Sequence, residues 1–387
     1  MKPKWEMKKI GDIAYHDIES MISIEADKTY SMVGVYSYGK GLFVKDDIMG
    51  LNTSYKKFYK LKFNHIVLSQ LFGWEGAISL CSKEFEGKYV SSQFPTFLVN
   101  EEIADKIFVS YYLQQSIVWK KLFEVGVGMG SRRRTLIPSN LLNLDIPFPP
   151  LPEQKRIVLK LESVKQRIEQ IKTIRVDQEK EINYLRNSIF IDLQKQNDNI
   201  PIGKIIIPHN ETIKINPEET YKQVTVKMEH KGVQLRGLIK GIDIGSRQYL
   251  ANENDFIISK IDARNGAMGI IPASLNAAVV TSDFPLFRFT EEINPKFFYY
   301  FSNTYYFDNA CKKASEGTTN RKRLKMDKFK NILMPLITIK EQNRVVSLLD
   351  KLNIVKATNI NTEEILAQLM PALLDEAFKG NLLKTLT

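Results

Sequence analysis

The sequence predicts an α+β fold. Two globular α/β domains stand in tandem repeat, each followed by a long helix, and the two helices pair as an antiparallel coiled coil. Three observations carry this reading. The chain repeats itself at a nearly constant offset. Each repeat opens with short strand-like runs between turn residues. Each repeat closes with a long stretch whose apolar residues recur every three or four positions.

The repeat spans nearly the whole chain. Ile10, Gly11 and Ile13 reappear as Ile202, Gly203 and Ile205, an offset of 192. Tyr30, Val33, Val35 and Gly41 return as Tyr221, Val224, Val226 and Gly232 at 191, and Tyr59, Ser69, Gly76 and Ala77 as Tyr249, Ser259, Gly266 and Ala267 at 190. Beyond a basic stretch the offset is 188, pairing Arg133 with Arg321, Pro147 with Pro335, Glu153-Gln154 with Glu341-Gln342 and Phe190 with Phe378. Duplication followed by small loop deletions gives an offset that drifts one way; chance matches would not be ordered. The boundaries that follow are a first domain over 1–150, its helix over 151–196, a second domain over 197–338 and its helix over 339–387.

Inside the domains, Ile66-Val-Leu-Ser69 and Phe256-Ile-Ile-Ser259 read as matched strands, and helical stretches are expected near 101–124 and 291–314. In the first long helix Ile157, Leu161, Val164, Ile168 and Ile171 lead to Ile182, Leu185 and Ile189, with Arg175 and Gln178 between them. That is a heptad seam with a polar middle. Pro147, Pro149, Pro150 and Pro152 stiffen its start. The second helix starts with a capping box, Thr338 to Glu341. Its seam is Val345, Leu349 and Leu352, then Leu366, Met370, Leu373 and Ala377, and Pro371 is expected to kink it. Each helix makes a rod on the order of 60 Å. Two rods with one apolar stripe each pack most simply on one another; the alternative is that each stripe packs on its own domain.

Composition narrows the function. Of 387 residues, 43% are hydrophobic and 26% charged, values that exclude a disordered or fibrous chain. Cys81 and Cys311 make no disulfide framework, and His16, His65, His209 and His230 lack metal-ligand spacing. No apolar run approaches the roughly 20 residues of a membrane span, and the charged N-terminus has no apolar stretch behind it. A soluble cytoplasmic protein is expected. The net charge of +11 sits on the domains, +3 over 1–150 and +7 over 201–340, which points to a polyanionic partner. Gly126-Val-Gly-Met-Gly130 precedes three arginines instead of opening a helix after a strand, so it reads as a flexible loop. No phosphate-binding loop and no grouping of nucleophile, base and orienter is present. The chain is expected to be non-catalytic, with no cofactor and no metal of its own.

The best candidate site residues are the basic loops at matching places in both repeats. Ser131, Arg132, Arg133 and Arg134 in the first correspond to Thr318, Thr319, Asn320, Arg321, Lys322 and Arg323 in the second. Arginine contacts phosphate or guanine in bidentate fashion, and Ser, Thr and Asn serve either role. Weaker candidates are Ser69-Gln70 and Ser259-Lys260 at the ends of matched strands, and Lys40 and Lys231 beside matched glycines. A merely solvated charged loop is the competing reading.

Three segments resemble the specificity subunit of type I restriction-modification systems. They are Pro147-Phe-Pro-Pro-Leu-Pro-Glu-Gln-Lys-Arg-Ile-Val158, Met334-Pro-Leu-Ile-Thr-Ile-Lys-Glu-Gln-Asn-Arg-Val345 and Leu369-Met-Pro-Ala-Leu-Leu-Asp-Glu-Ala-Phe-Lys-Gly380. The second departs from the first in having Thr338 and Lys340 where the first has Pro150 and Pro152. The resemblance implies that each domain is a target-recognition domain reading one half of a split, asymmetric sequence in double-stranded DNA. It implies that the helices space the readers and dock two adenine methyltransferase subunits, with an ATP-driven restriction subunit completing the complex. S-adenosylmethionine, Mg and ATP would then belong to those partners. A stand-alone duplicated DNA-binding regulator, or a coiled-coil scaffold without DNA readout, remains the alternative.

Overall fold

The computed structural model describes residues 5–128, 134–317 and 322–382, and for 355–361 the backbone of the helix alone. The chain forms two compact units, Met1–Lys172 with Thr362–Thr387, and Thr173–Asn361. Each unit therefore takes one globular domain, part of the helix that follows it and part of the other long helix.

In the first unit Glu6–Lys9 pairs with Asp145–Phe148, joining the start of the domain to its end. An antiparallel four-stranded sheet follows the order Ile78–Leu80, Ile66–Leu68, Thr96–Val99, Ala14–His16. Its central strand is buried on both faces, which is why it reads as an unbroken apolar run rather than an alternation. Ile66 and Leu68 join a core with the helices Lys106–Leu113 and Ser116–Val125. Val67 points the other way, into a core with Val33, Tyr59, Leu61 and Val90. That second core lies under the sheet Tyr89–Ser91, Lys57–Lys60, Met21–Ser23, to which a hairpin, Val33–Val35 with Leu42–Val44, is joined by the Met32–Tyr89 bridge.

The second unit repeats this plan. The sheet order is Met268–Ile270, Phe256–Ile258, Leu286–Phe289, Ile206–His209. Phe256 and Ile258 face the helical core while Ile257 faces the other. The hairpin is longer here, Thr220–Val226 with Val233–Lys240, and is continuous with the second sheet.

A buried acid–imidazole contact links corresponding positions of the two units in opposite orientation. In the first, His65 Nε2 lies 3.0 Å from Asp17 Oδ2. In the second, His209 Nδ1 lies 2.7 Å from Asp255 Oδ2. Strand register places Asp17 opposite His209, and His65 opposite Asp255, in the repeat. The partners have exchanged places while the contact stayed. Such an exchange keeps acid and imidazole in contact inside, where a buried polar group left without its partner is costly.

The long helices run Leu151–Gln196 and Ile339–Phe378. Each is docked at its start by a buried glutamine. Gln154 Oε1 accepts from the Asp105 N–H at 2.8 Å and its amide donates to Pro149 O at 2.8 Å. Gln342 does the same with Asn294 N–H at 2.7 Å and Ile337 O at 2.9 Å. Both long helices feed each core. Ile157 and Leu161 from the first helix and Leu374, Ala377 and Phe378 from the second close the first core, with the Phe378 ring 4.8 Å from Phe108 and 5.3 Å from Tyr112. In the second unit Phe190 sits 5.2 Å from Phe297 and 5.6 Å from Phe301, beside Val346 and Leu349.

The expected helix seam, with its polar middle, needs correcting at two positions. Leu161, Ile168 and Leu349 are buried, and Val164, Ile182, Leu352, Leu366, Met370 and Leu373 half-buried, but Ile171 and Leu185 remain 38% and 41% exposed. The stripe is buried where it meets a domain core and fades over the polar middle of the helix, where charged neighbours favour water. The second helix also passes through Pro371 and stops at Phe378, short of the expected 387. Gly380, at φ 75°, supplies the left-handed turn that ends it.

Two outcomes are expected. Phe190→Ala should destabilise the second unit by about 3–5 kcal/mol and Phe378→Ala the first by the lower end of that range, while Leu185→Ala stays within about 0.5 kcal/mol; urea unfolding checks all three. The Asp17–His65 pair should make the first unit acid-labile. Burial opposes the charge on Asp17, but the Lys62 hydrogen bond and charge, His65 and the Ser20 backbone outweigh it and leave the carboxyl below its ordinary range. Burial also holds His65 below the ordinary imidazole value. Both folded-state values are depressed, so the stability is present above the ordinary values and is lost as pH falls. Between about pH 7 and pH 5, the melting temperature of His65→Gln should fall less than that of the unaltered protein.

Candidate nucleic-acid interface

The edge that gathers the candidate loops is built from the end of the doubly buried strand. After Ile66–Leu68 the chain turns sharply, and Ser69 Oγ accepts from the Phe72 N–H at 3.2 Å. After Phe256–Ile258, Ser259 Oγ accepts from Asp262 N–H at the same distance. The 3₁₀ turns Gly73–Glu75 and Ala263–Asn265 follow, and each ends in a left-handed glycine, Gly76 at φ 81° and Gly266 at φ 73°. No side chain fits there: a Cβ would come within 2.4 Å of the Trp119 ring at Gly76 and 2.8 Å of the His230 ring at Gly266.

Onto this turn the fold brings the tip of the hairpin. Tyr38 N–H donates to Glu75 O at 2.8 Å and Gly39 N–H to Gly76 O at 3.0 Å. Glu229 N–H and His230 N–H repeat the pattern on Asn265 O at 2.7 Å and Gly266 O at 3.1 Å. The basic loop returns to the same place. Leu136 N–H donates to Gln70 O at 2.8 Å, and Leu324 N–H to Lys260 O at 2.7 Å. Lys40, Gln70 and the end of the first basic loop thus share one edge, as do Lys231, Lys260 and the end of the second. The side chains that secure the tips differ. Tyr38 meets Trp119 edge to face at 6.3 Å in the first unit, whereas His230 Nε2 lies 3.0 Å from Asp308 in the second.

Several candidates have other duties. Ser69 and Ser259 are 2% and 5% exposed, so they build the turn and cannot reach a ligand. Arg134 caps a helix: its guanidinium lies 4.2 Å from the Phe123 ring centre and donates to Phe123 O at 2.7 Å, at the carbonyl end of Ser116–Val125. Arg323 is held by Asp283. Lys231 pairs with Glu229 at 2.6 Å, but in the open, where such a pair is weak and a phosphate competes with it readily. Lys40 and Lys322 are exposed and Gln70 and Lys260 half-exposed, so these four remain available. Ser131, Arg132, Arg133, Thr318, Thr319, Asn320 and Arg321 lie outside the described residues.

Residue-by-residue reading missed the flank of the longer hairpin, where Lys227, Arg236 and Lys240 are exposed in the second unit. The register puts Lys227 at the hairpin tip with Lys231, and Arg236 and Lys240 progressively further along the returning strand. Lys330, which extends the second basic cluster in sequence, lines one cleft together with Lys260.

Catalytic chemistry finds little purchase. Among the described residues no three His, Cys, Asp or Glu side chains group to hold a metal ion. Burial pushes the Cys81 thiol up to about 12 and the Cys311 thiol higher still, so neither is a ready nucleophile. Among the same residues no helix is long and apolar enough to cross a membrane.

Comparison with known proteins accords with this geometry. Residues 2–178 match the family described as the type I restriction modification DNA specificity domain. Among solved structures, the chain is similar to the HsdS subunit from Thermoanaerobacter tengcongensis, with 18% identity and a TM-score of 0.60 over 98% of this chain and 97% of that one. It is also similar to a chain from a structure concerned with complex assembly and conformational transition of the type I R-M system, at 17% identity and a TM-score of 0.68, over 98% of both. No curated protein matches it. The first unit's domain is therefore a DNA specificity domain, and the second repeats its sheets, helices and loops. Residues 2–178 thus match the DNA specificity domain of type I restriction modification, and over nearly its whole length the chain shares the fold of these solved structures.

Removing Arg134 separates its duty from DNA contact. Arg134→Ala should cost about 1–3 kcal/mol of stability through the lost charged hydrogen bonds and leave the salt dependence of DNA binding unchanged. Lys322→Ala should leave the melting temperature in place and lower the log–log salt slope by about 0.9. A fluorescence-anisotropy titration at several salt concentrations decides between them.

Proposed function

We propose that each unit reads one half of a split, asymmetric target in double-stranded DNA, and that the long helices dock two adenine methyltransferase subunits through which a restriction subunit joins. The observation that carries the two-reader assignment is the loop edge itself, built twice on one backbone scaffold with different side chains. Gln70 stands where the second unit has Lys260, Tyr38 where it has Glu229, and Trp119 where it has Asp308. A shared scaffold holds both readers to the same manner of approach, and altered side chains give each its own half-site.

Docking on the helices is supported by their exposed apolar residues. Leu159, Ile174, Tyr184, Ile354 and Ile365 are all solvent-exposed, apolar surface that docked subunits would cover. In this assignment S-adenosylmethionine serves the methyltransferase subunits, and ATP and Mg the restriction subunit. The protein works in the cytoplasm, where the DNA is. Helical continuity between readers makes half-site spacing a property of the helix.

Co-expression with the neighbouring methyltransferase, followed by mapping of modified adenines, tests the proposal. A bipartite, asymmetric pattern is expected. Inserting about one helical turn between Ile168 and Ile182 should change the spacer between the half-sites. Tight sequence-specific binding by the chain alone, with no methylation in the co-expressed pair, would show a stand-alone regulator instead.

A further inference from the structure

We infer that the cleft between Lys260 and Lys330 in the second unit is a phosphate site, filled in the working complex by a backbone phosphate of duplex DNA. The inference rests on the DNA-reading assignment and adds to it which residues grip the backbone, and in which unit.

The cleft has a volume of about 270 Å³, and Lys260, Lys330, Ser282, Asn210 and the buried His209 are among its polar lining, against Tyr249 and Phe284. Its position follows from the fold. Lys260 ends the doubly buried strand, its N–H donating to Asp283 O at 2.9 Å and its carbonyl accepting from Leu324, where the basic loop returns. Lys330 ends the short helix Met326–Lys330 that follows that loop. Both lysines are therefore placed by backbone next to the described end of the basic loop.

What singles out the pair is the state of the nearby acids. Asp283, the carboxylate nearest in sequence to Ser282, is held by Arg323. Glu316 is taken by Lys328 at 2.6 Å. Glu211 and Asp255 are engaged by His209, with Arg288 close by. Among the described residues no ion pair involves Lys260 or Lys330. Two uncompensated cations facing one half-enclosed cleft repel each other, and an anion between them relieves that repulsion. A phosphate oxygen accepts from an ammonium, a hydroxyl and a side-chain amide, which are the donors present.

The repeat supplies a built-in contrast. At the corresponding positions the first unit has Gln70 for Lys260 and Leu142 for Lys330. That unit has neither cation, so the second unit carries the stronger electrostatic grip.

The test uses the chain assembled with its methyltransferase. Affinity for cognate and unrelated duplexes is measured over a range of salt, for the unaltered complex and for K260Q/K330Q. Loss of the one phosphate held between them should lower the log–log salt slope by about 0.9, weaken cognate and unrelated DNA alike, and leave the methylated sequence unchanged. An unaltered slope in a complex that otherwise binds DNA normally overturns the inference while sparing the DNA-reading assignment. Failure of the unaltered complex to bind DNA overturns that assignment instead. Amine acetylation of the unaltered complex gives a readout that does not depend on the variant folding. Protection of both lysines by duplex DNA is the expected result. Protection by inorganic phosphate alone would assign the cleft to a free anion and overturn the DNA assignment of the cleft, and protection by neither would overturn the site.

Discussion

The reading edge of each unit hangs on a strand of three residues that is buried on both faces. Ile66, Val67 and Leu68 in the first unit, and Phe256, Ile257 and Ile258 in the second, send alternate side chains into two separate cores. A strand held from both sides cannot slip by one residue without exchanging the two cores. The turn that leaves it inherits that fixity. Ser69 and Ser259 cap the turn, Gly76 and Gly266 close it, and the hairpin tip and the returning basic loop both hydrogen-bond to it. Three segments far apart in sequence thus reach one edge by backbone bonds. Side chains on that edge are free to change because the backbone does not depend on them.

The two units show what happens when they do change. The hairpin tip rests on an aromatic contact in one and on an imidazole–carboxylate contact in the other. The buried Asp–His contact has exchanged its ends between Asp17–His65 and His209–Asp255. In both cases geometry persisted while chemistry was replaced. Burial accounts for the difference: a buried polar group left without its partner is costly enough that the contact survives, whereas the partly exposed tip tolerates two unrelated solutions.

The helices join this scaffold at their buried ends. Gln154 and Gln342 satisfy backbone groups of the domain and of the preceding loop at once, which gives a physical reason for the Glu-Gln pair at the start of both helices. The far end of each helix also plugs a core, through Phe190 or Phe378, and for Phe378 this makes the first unit discontinuous in the chain. Residues 362–387 complete the unit that begins at Met1.

Much of this was legible in the amino-acid sequence. Duplication appears as an ordered drift of offset, the long helices as apolar residues three and four apart, and the central strands as short apolar runs, because each pattern is local or self-comparing. The family, too, could be read from the segments flanking the helices. What the tertiary structure alone decided was which polar residues are free. Arg134, Arg323, Ser69 and Ser259 resemble ligand contacts in one dimension, yet a helix end, Asp283 and two tight turns engage them. Lys330, in sequence only the last of a basic run, lines one cleft with Lys260, 70 residues away in the chain. Whether a charge is spent or available depends on partners brought together by folding, and sequence spacing carries no record of them.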